Sequence, residues 1–136
     1  MRTVGSTLVI VLSALVLLVA CGGGRPGYSS ASQAADGVTI MLERPANITP
    51  LQDYEFFVTL TDGSGKPLDG ATVFLEQDMP GMPMGSNQPL GEALGNGQYR
   101  IRGVFTMDGK WVVKVHAMVG GNEHIASFDQ EVNLPK

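Results

Sequence analysis

Three methionines, Met79, Met82 and Met84, fall inside the run Asp-Met-Pro-Gly-Met-Pro-Met-Gly at residues 78–85, and a fourth, Met107, stands shortly before the only tryptophan, Trp111. Thioether sulfur is soft and polarizable and favours Cu(I) over hard cations, so methionines crowded onto one loop point to a copper site. Such sulfur has no proton to lose, and binding there depends less on pH than at His or Cys. Pro80 and Pro83 fix φ and withhold backbone donors, which predicts a stiff polyproline-like segment. That geometry sets Met79 and Met82 on one side, roughly 9 Å apart. Gly81 and Gly85 add the backbone freedom for Met84 to join as a third ligand. The same residues also fit a second reading, in which they are adaptable apolar cover over one end of a sandwich or a greasy partner-binding tip.

Around this stretch stand other groups with chemical potential. Asp78 and Asp108 flank the methionines and are candidates for an oxygen ligand or a supporting hydrogen bond, although acidic residues in turns more often face solvent. Trp111 could shield a copper ion, but a core tryptophan bridging two sheets is the simpler role. His116 and His124 lie on the two arms of one hairpin, and strand register decides whether they face each other. His116 is nine positions beyond Met107, roughly 30 Å along an extended strand, and so belongs to the opposite pole. Arg100 and Arg102 share a strand face that suits an acidic partner or plain solvent. No nucleophile is placed beside a histidine and no phosphate-cradling glycine loop occurs, so the chain does not read as an enzyme.

These groups need a scaffold, and the chain supplies it after a segment of another kind. Arg2 precedes an apolar run at residues 8–19 that is short for a membrane span. The run ends in Leu18-Val19-Ala20-Cys21, which resembles the lipobox of bacterial lipoproteins. That resemblance implies a signal peptide at residues 1–20, cleavage before Cys21 and acylation of Cys21. The protein is then lipid-anchored to a membrane on the extracytoplasmic side, the outer membrane in a Gram-negative envelope. Cys21 is the only cysteine, which excludes an intrachain disulfide and a thiolate ligand. The formal net charge is −4, and becomes one unit more negative when Arg2 leaves with the signal. With no basic stripe, nucleic acid is excluded as a partner.

Residues 21–36 are rich in Gly, Ser and Ala and read as the lipidated cysteine and a flexible linker, about 21 Å in r.m.s. reach for some 15 residues. Residues 37–136 form one domain. Its apolar residues recur with period two: Val38, Ile40 and Leu42; Phe56, Val58 and Leu60; Ala71, Val73 and Leu75; Trp111, Val113, Val115 and Ala117. Turn signals such as Gly95-Asn96-Gly97 and Gly120-Gly121 separate them. About seven short strands and no helix predict an all-β, immunoglobulin-like sandwich. If the strand that runs into the methionine loop pairs antiparallel with the Trp111 strand, Met79, Met82, Met84 and Met107 meet at one pole.

The order of Gly65-Lys66-Pro67-Leu68-Asp69-Gly70-Ala71-Thr72-Val73, Met79-Pro80-Gly81-Met82, Gly97-Gln98-Tyr99 and Met107-Asp108-Gly109-Lys110-Trp111 resembles the YtkA-like domain family and its FixH-like relatives. The resemblance implies a secreted or membrane-attached sandwich, some of whose relatives are associated with copper handling or the assembly of copper-containing oxidases. It carries Met79, Met82 and Met107 as site residues, with Met84 added from the spacing argument. The absence of histidine beside the methionines favours Cu(I) over Cu(II). Two functions follow: a lipid-anchored carrier of Cu(I) that passes it to a copper enzyme or exporter, or a metal-free structural or interaction module of the envelope.

Overall fold

The computed structural model describes residues 24–82 and 87–136; Cys21 and Met84 lie outside the described residues. Eight strands follow one another: β1 (Tyr28–Ala35), β2 (Val38–Pro45), β3 (Asp53–Thr61), β4 (Thr72–Asp78), β5 (Glu92–Gly95), β6 (Gln98–Val104), β7 (Gly109–Val119) and β8 (Asn122–Val132). One sheet has the order β1-β2-β3-β6-β5 and the other β4-β7-β8, and every pairing is antiparallel. Apart from β1, this is the four-plus-three arrangement of an immunoglobulin constant-type sandwich, with β4 and β7 adjacent as strands C and F are there. The alternation read from the sequence is the alternation that is buried: Ile40, Leu42, Phe56, Val58, Leu60, Leu75, Val113, Val115 and Ala117 are all fully enclosed between the sheets.

The segment expected to be a flexible linker is instead largely strand. Residues 28–35 pair with β2 along their whole length, from Tyr28↔Pro45 to Ala35↔Val38. Composition misleads here because an edge strand needs little apolar area. Only Ala31 and Ala35 of β1 pack against the core, and the ladder satisfies one side of the backbone. The signal was present in Asp36-Gly37, whose φ values of 47° and 82° make the two-residue hairpin turn that matches strand twist. Asn96-Gly97 and Gly120-Gly121 repeat the device, with φ positive at both positions.

On its outer side β1 meets the edge of β8. The Gln33 amide donates to Ser127 O (2.7 Å) and accepts from Ser127 N (3.0 Å), so a side chain stands in for a neighbouring strand. Arg44 from β2 reaches Asp129 O on the same edge.

The starts of β1, β3 and β7 and the ends of β2, β4, β6 and β8 share one pole. Backbone bonds stitch its segments together: Ala46 N to Gly27 O (2.9 Å), Leu51 N to Phe105 O (2.8 Å) and Asn133 N to Ile48 O (2.9 Å). Ile48 and Phe105, both fully buried, plug the core beneath.

Candidate functional site

Register brings the two methionine corners together. Asp78 at the end of β4 pairs with Val112 near the start of β7, so residues 79–82 and residues 105–108 leave the sheet side by side. Met79 keeps the inward phase of Val73 and Leu75 and is only 8% exposed, as part of the hydrophobic core. A Cβ on Gly109 would stand 3.2 Å from Met79 Cε, so the glycine makes room for the methionine methyl; its φ of +129° also disfavours any side chain.

Beyond Met79 the chain departs from the polyproline geometry expected of it. Met82 N donates to Met79 O (3.1 Å), and Gly81 has φ +83°, which with Pro80 before it is the signature of a type II turn. A glycine after a proline favours this reversal over continued extension, and it draws the two methionine Cα atoms within about 7 Å. Met82 and Met107 are 41% and 38% exposed. Three of the four expected ligands, Met79, Met82 and Met107, therefore share a pole, but Met79 is committed to packing while the other two reach solvent.

Trp111 is a core residue that also anchors this corner. It is 6% exposed, meets Phe105 edge-on at 5.2 Å between ring centroids, and donates its Nε1–H to Met107 O (3.0 Å). Asp78 shares the outward phase of Phe74 and Glu76, away from Met79, and Asp108 is exposed. A cleft of about 570 Å³ runs along the flank, lined by Pro80, Lys110, Trp111 and Gln130 among others.

Two buried amides of this region were not anticipated. Gln77 and Gln130 occupy inward positions, 3% and 8% exposed, and neither Gln77 Nε2 nor Gln130 Oε1 has a hydrogen-bond partner among the described residues. The signal was a polar residue in phase with the core: Gln77 follows Val73 and Leu75, and Gln130 follows Ala126 and Phe128.

The histidines do not face each other. His116 pairs with Ile125 and His124 with Ala117, so their side chains lie on opposite faces of the β4-β7-β8 sheet. His124 points inward and its Nδ1 lies 2.8 Å from Ala35 O. On the outer face His116 stacks on Phe74 (4.5 Å between centroids), with Nε2 3.0 Å from Glu76 and Nδ1 2.8 Å from Glu123. Burial pushes the Glu76 carboxyl up, but hydrogen bonds and charge from Lys114 and His116 outweigh it and hold the group below the ordinary glutamate value. Among the described residues no three His, Cys, Asp or Glu side chains are grouped to hold a metal ion.

Arg100 and Arg102 spend their charge locally. Arg100 pairs with Glu92 (2.6 Å), holding that carboxyl below its usual value by hydrogen bonding, and Arg102 lies 3.5 Å from Glu55. A solvated, paired strand face accounts for both.

The family model described as YtkA-like matches residues 32–116. No curated protein matches the chain. Among solved structures, the PKD domain from human VPS10 domain-containing receptor SorCS2 is similar at 17% identity and a TM-score of 0.39, covering 100% of this chain and 97% of that one.

Proposed function

The chain belongs to the YtkA-like family, and from that premise we propose that it is a lipid-anchored envelope domain that carries Cu(I) as cargo on its methionine pole and delivers it to a copper enzyme or exporter. The observation that supports this reading is the placement of Met82 and Met107, two exposed thioethers from corners far apart in sequence, at the same pole. The donor set fits a soft ion: sulfur is present, and neither His116 nor His124 is at this pole. Met82 and Met107 would make first contact, Met79 would add a third sulfur from the core edge, and Met84 would complete the set. Cys21, acylated after cleavage of residues 1–20, would hold the domain to the membrane.

Anaerobic competition of the mature chain against a Cu(I) chelator tests the site. Met82→Leu and Met107→Leu are expected to lower copper retention at least several-fold while leaving the urea midpoint unchanged. Equal retention by parent and variants would dismiss the copper site.

One observation favours a second reading. Met79 is buried like any core residue, and Met82 and Met107 would then be an apolar contact tip. On that reading Met82→Leu preserves partner capture from membrane extracts and Met82→Asp abolishes it, without any copper dependence.

A further inference from the structure

The methionine pole carries more exposed apolar side chain than copper capture requires. Besides Met82 and Met107 it presents Leu51, 76% exposed, and Leu134, 63% exposed. These four come from four separate segments of the pole. Leu51 is held at φ +61°, a conformation that a bulky L-residue rarely adopts, with its N–H tied to Phe105 O. Glycine or asparagine would occupy that corner with less strain. A strained backbone that displays a leucine to the outside points to a use for the leucine there.

The chain enters the fold at this same pole. Gly27 O accepts from Ala46 N, and Arg25 is already fastened: its Nε lies 3.1 Å from Glu43 and its guanidinium 3.5 Å above the Phe57 ring. Three residues separate Cys21 from Arg25, and the four Cα–Cα steps span at most about 14 Å. The far pole is roughly 34 Å away along β8, beyond that reach. The outer face of the larger sheet and the methionine pole both lie close to the point where the chain enters the fold. The former is covered by Arg100–Glu92 and Arg102–Glu55 ion pairs, which belong in water. The latter presents four exposed apolar side chains.

We propose that the methionine pole rests on the lipid bilayer, with Leu51, Met82, Met107 and Leu134 entering the headgroup layer, so that the domain sits on the membrane instead of swinging above it. The proposal rests on acylation of Cys21. It deepens the copper reading, because cargo on this pole is exchanged at the membrane surface with a membrane-embedded partner. The chain is acidic, so contact depends on apolar side chains and holds at high salt and on uncharged lipid.

Hydrogen–deuterium exchange tests it on the mature chain anchored to phosphatidylcholine vesicles through Cys21, both as cells deliver it and by coupling Cys21 to a maleimide lipid. Exchange at residues 46–52 and 105–108 is expected to slow several-fold relative to the same chain without lipid, with residues 62–66 and 119–122 unchanged. The double variant Leu51→Asp, Leu134→Asp is expected to abolish the slowing while keeping the fold. Uniform slowing at both poles, none at either, or slowing that needs membrane proteins and is missing on pure lipid would overturn the proposal. Mass spectrometry of the cell-derived chain separates the premise from the inference: an unacylated Cys21 sinks the anchor, whereas an unprotected pole on maleimide-lipid vesicles sinks the contact.

Discussion

At the scale of single residues, the methionines divide by burial, and that division predicts separate phenotypes. Met79 packs in the core against Gly109, so Met79→Ala is expected to cost about 2–5 kcal/mol and Met79→Leu less than about 1.5 kcal/mol in urea denaturation. Met82→Leu and Met107→Leu, on exposed turns, are expected to stay within about 0.5 kcal/mol of the parent. Gly109→Ala would both strain a positive φ and press on Met79 Cε. A loss of about 1–3 kcal/mol is expected from the backbone alone. The solvent-facing thioethers carry little packing, so their removal leaves stability alone.

At the scale of elements, the smaller sheet is tied across its outer face by His116, and the larger sheet is closed at its edge by β1. His116 on β7 bridges Glu76 of β4 and Glu123 of β8. Both ring nitrogens face carboxylate oxygens. The Glu76 carboxyl is held below its ordinary value, so its contribution to stability is complete above the unfolded-state value of about 4.5 and fades as pH falls through the lower folded-state value. Glu76→Gln is therefore expected to lower the urea midpoint at neutral pH and to flatten its decline toward about pH 3, measured by a pH series of denaturation curves. At the other edge, Gln33→Ala removes the partner of Ser127 N and Ser127 O. Faster amide exchange at Ser127 is expected, with a stability loss of about 1 kcal/mol. A chain that starts after residue 36 would expose the long edge of β2. It should self-associate in sedimentation experiments, which a dispensable linker would not cause.

At the scale of the whole molecule, one pole concentrates the chain entry, four loops or ends and four exposed apolar side chains, while the far pole holds three two-residue hairpin turns and the connection at residues 62–71. Gly97 at the far pole shows how closed it is: a Cβ there would stand 2.5 Å from Leu60 O, and its N–H is held by Asp69 at 2.8 Å. The membrane-contact and copper predictions both belong to this scale. They are separable, since Leu51 and Leu134 bear on the first alone and Met82 on both.

The amino-acid sequence by itself determined the all-β class, the seven strands β2 to β8 and the buried phase of β2, β3, β4, β6 and β7, because strict alternation of apolar residues is a local property that only a half-buried strand satisfies. It made the meeting of the two methionine corners conditional on antiparallel pairing of β4 with β7, and the register supplies that pairing. Only tertiary structure decided the rest. Met79 became core because Gly109 from another strand left it space. Residues 28–35 became a strand because β2 offered an edge and Asp36-Gly37 turned the chain onto it. The histidines parted because hairpin register set them on opposite faces. Each of these outcomes depends on a partner distant in sequence, and period-two patterning contains no term for the partner's position.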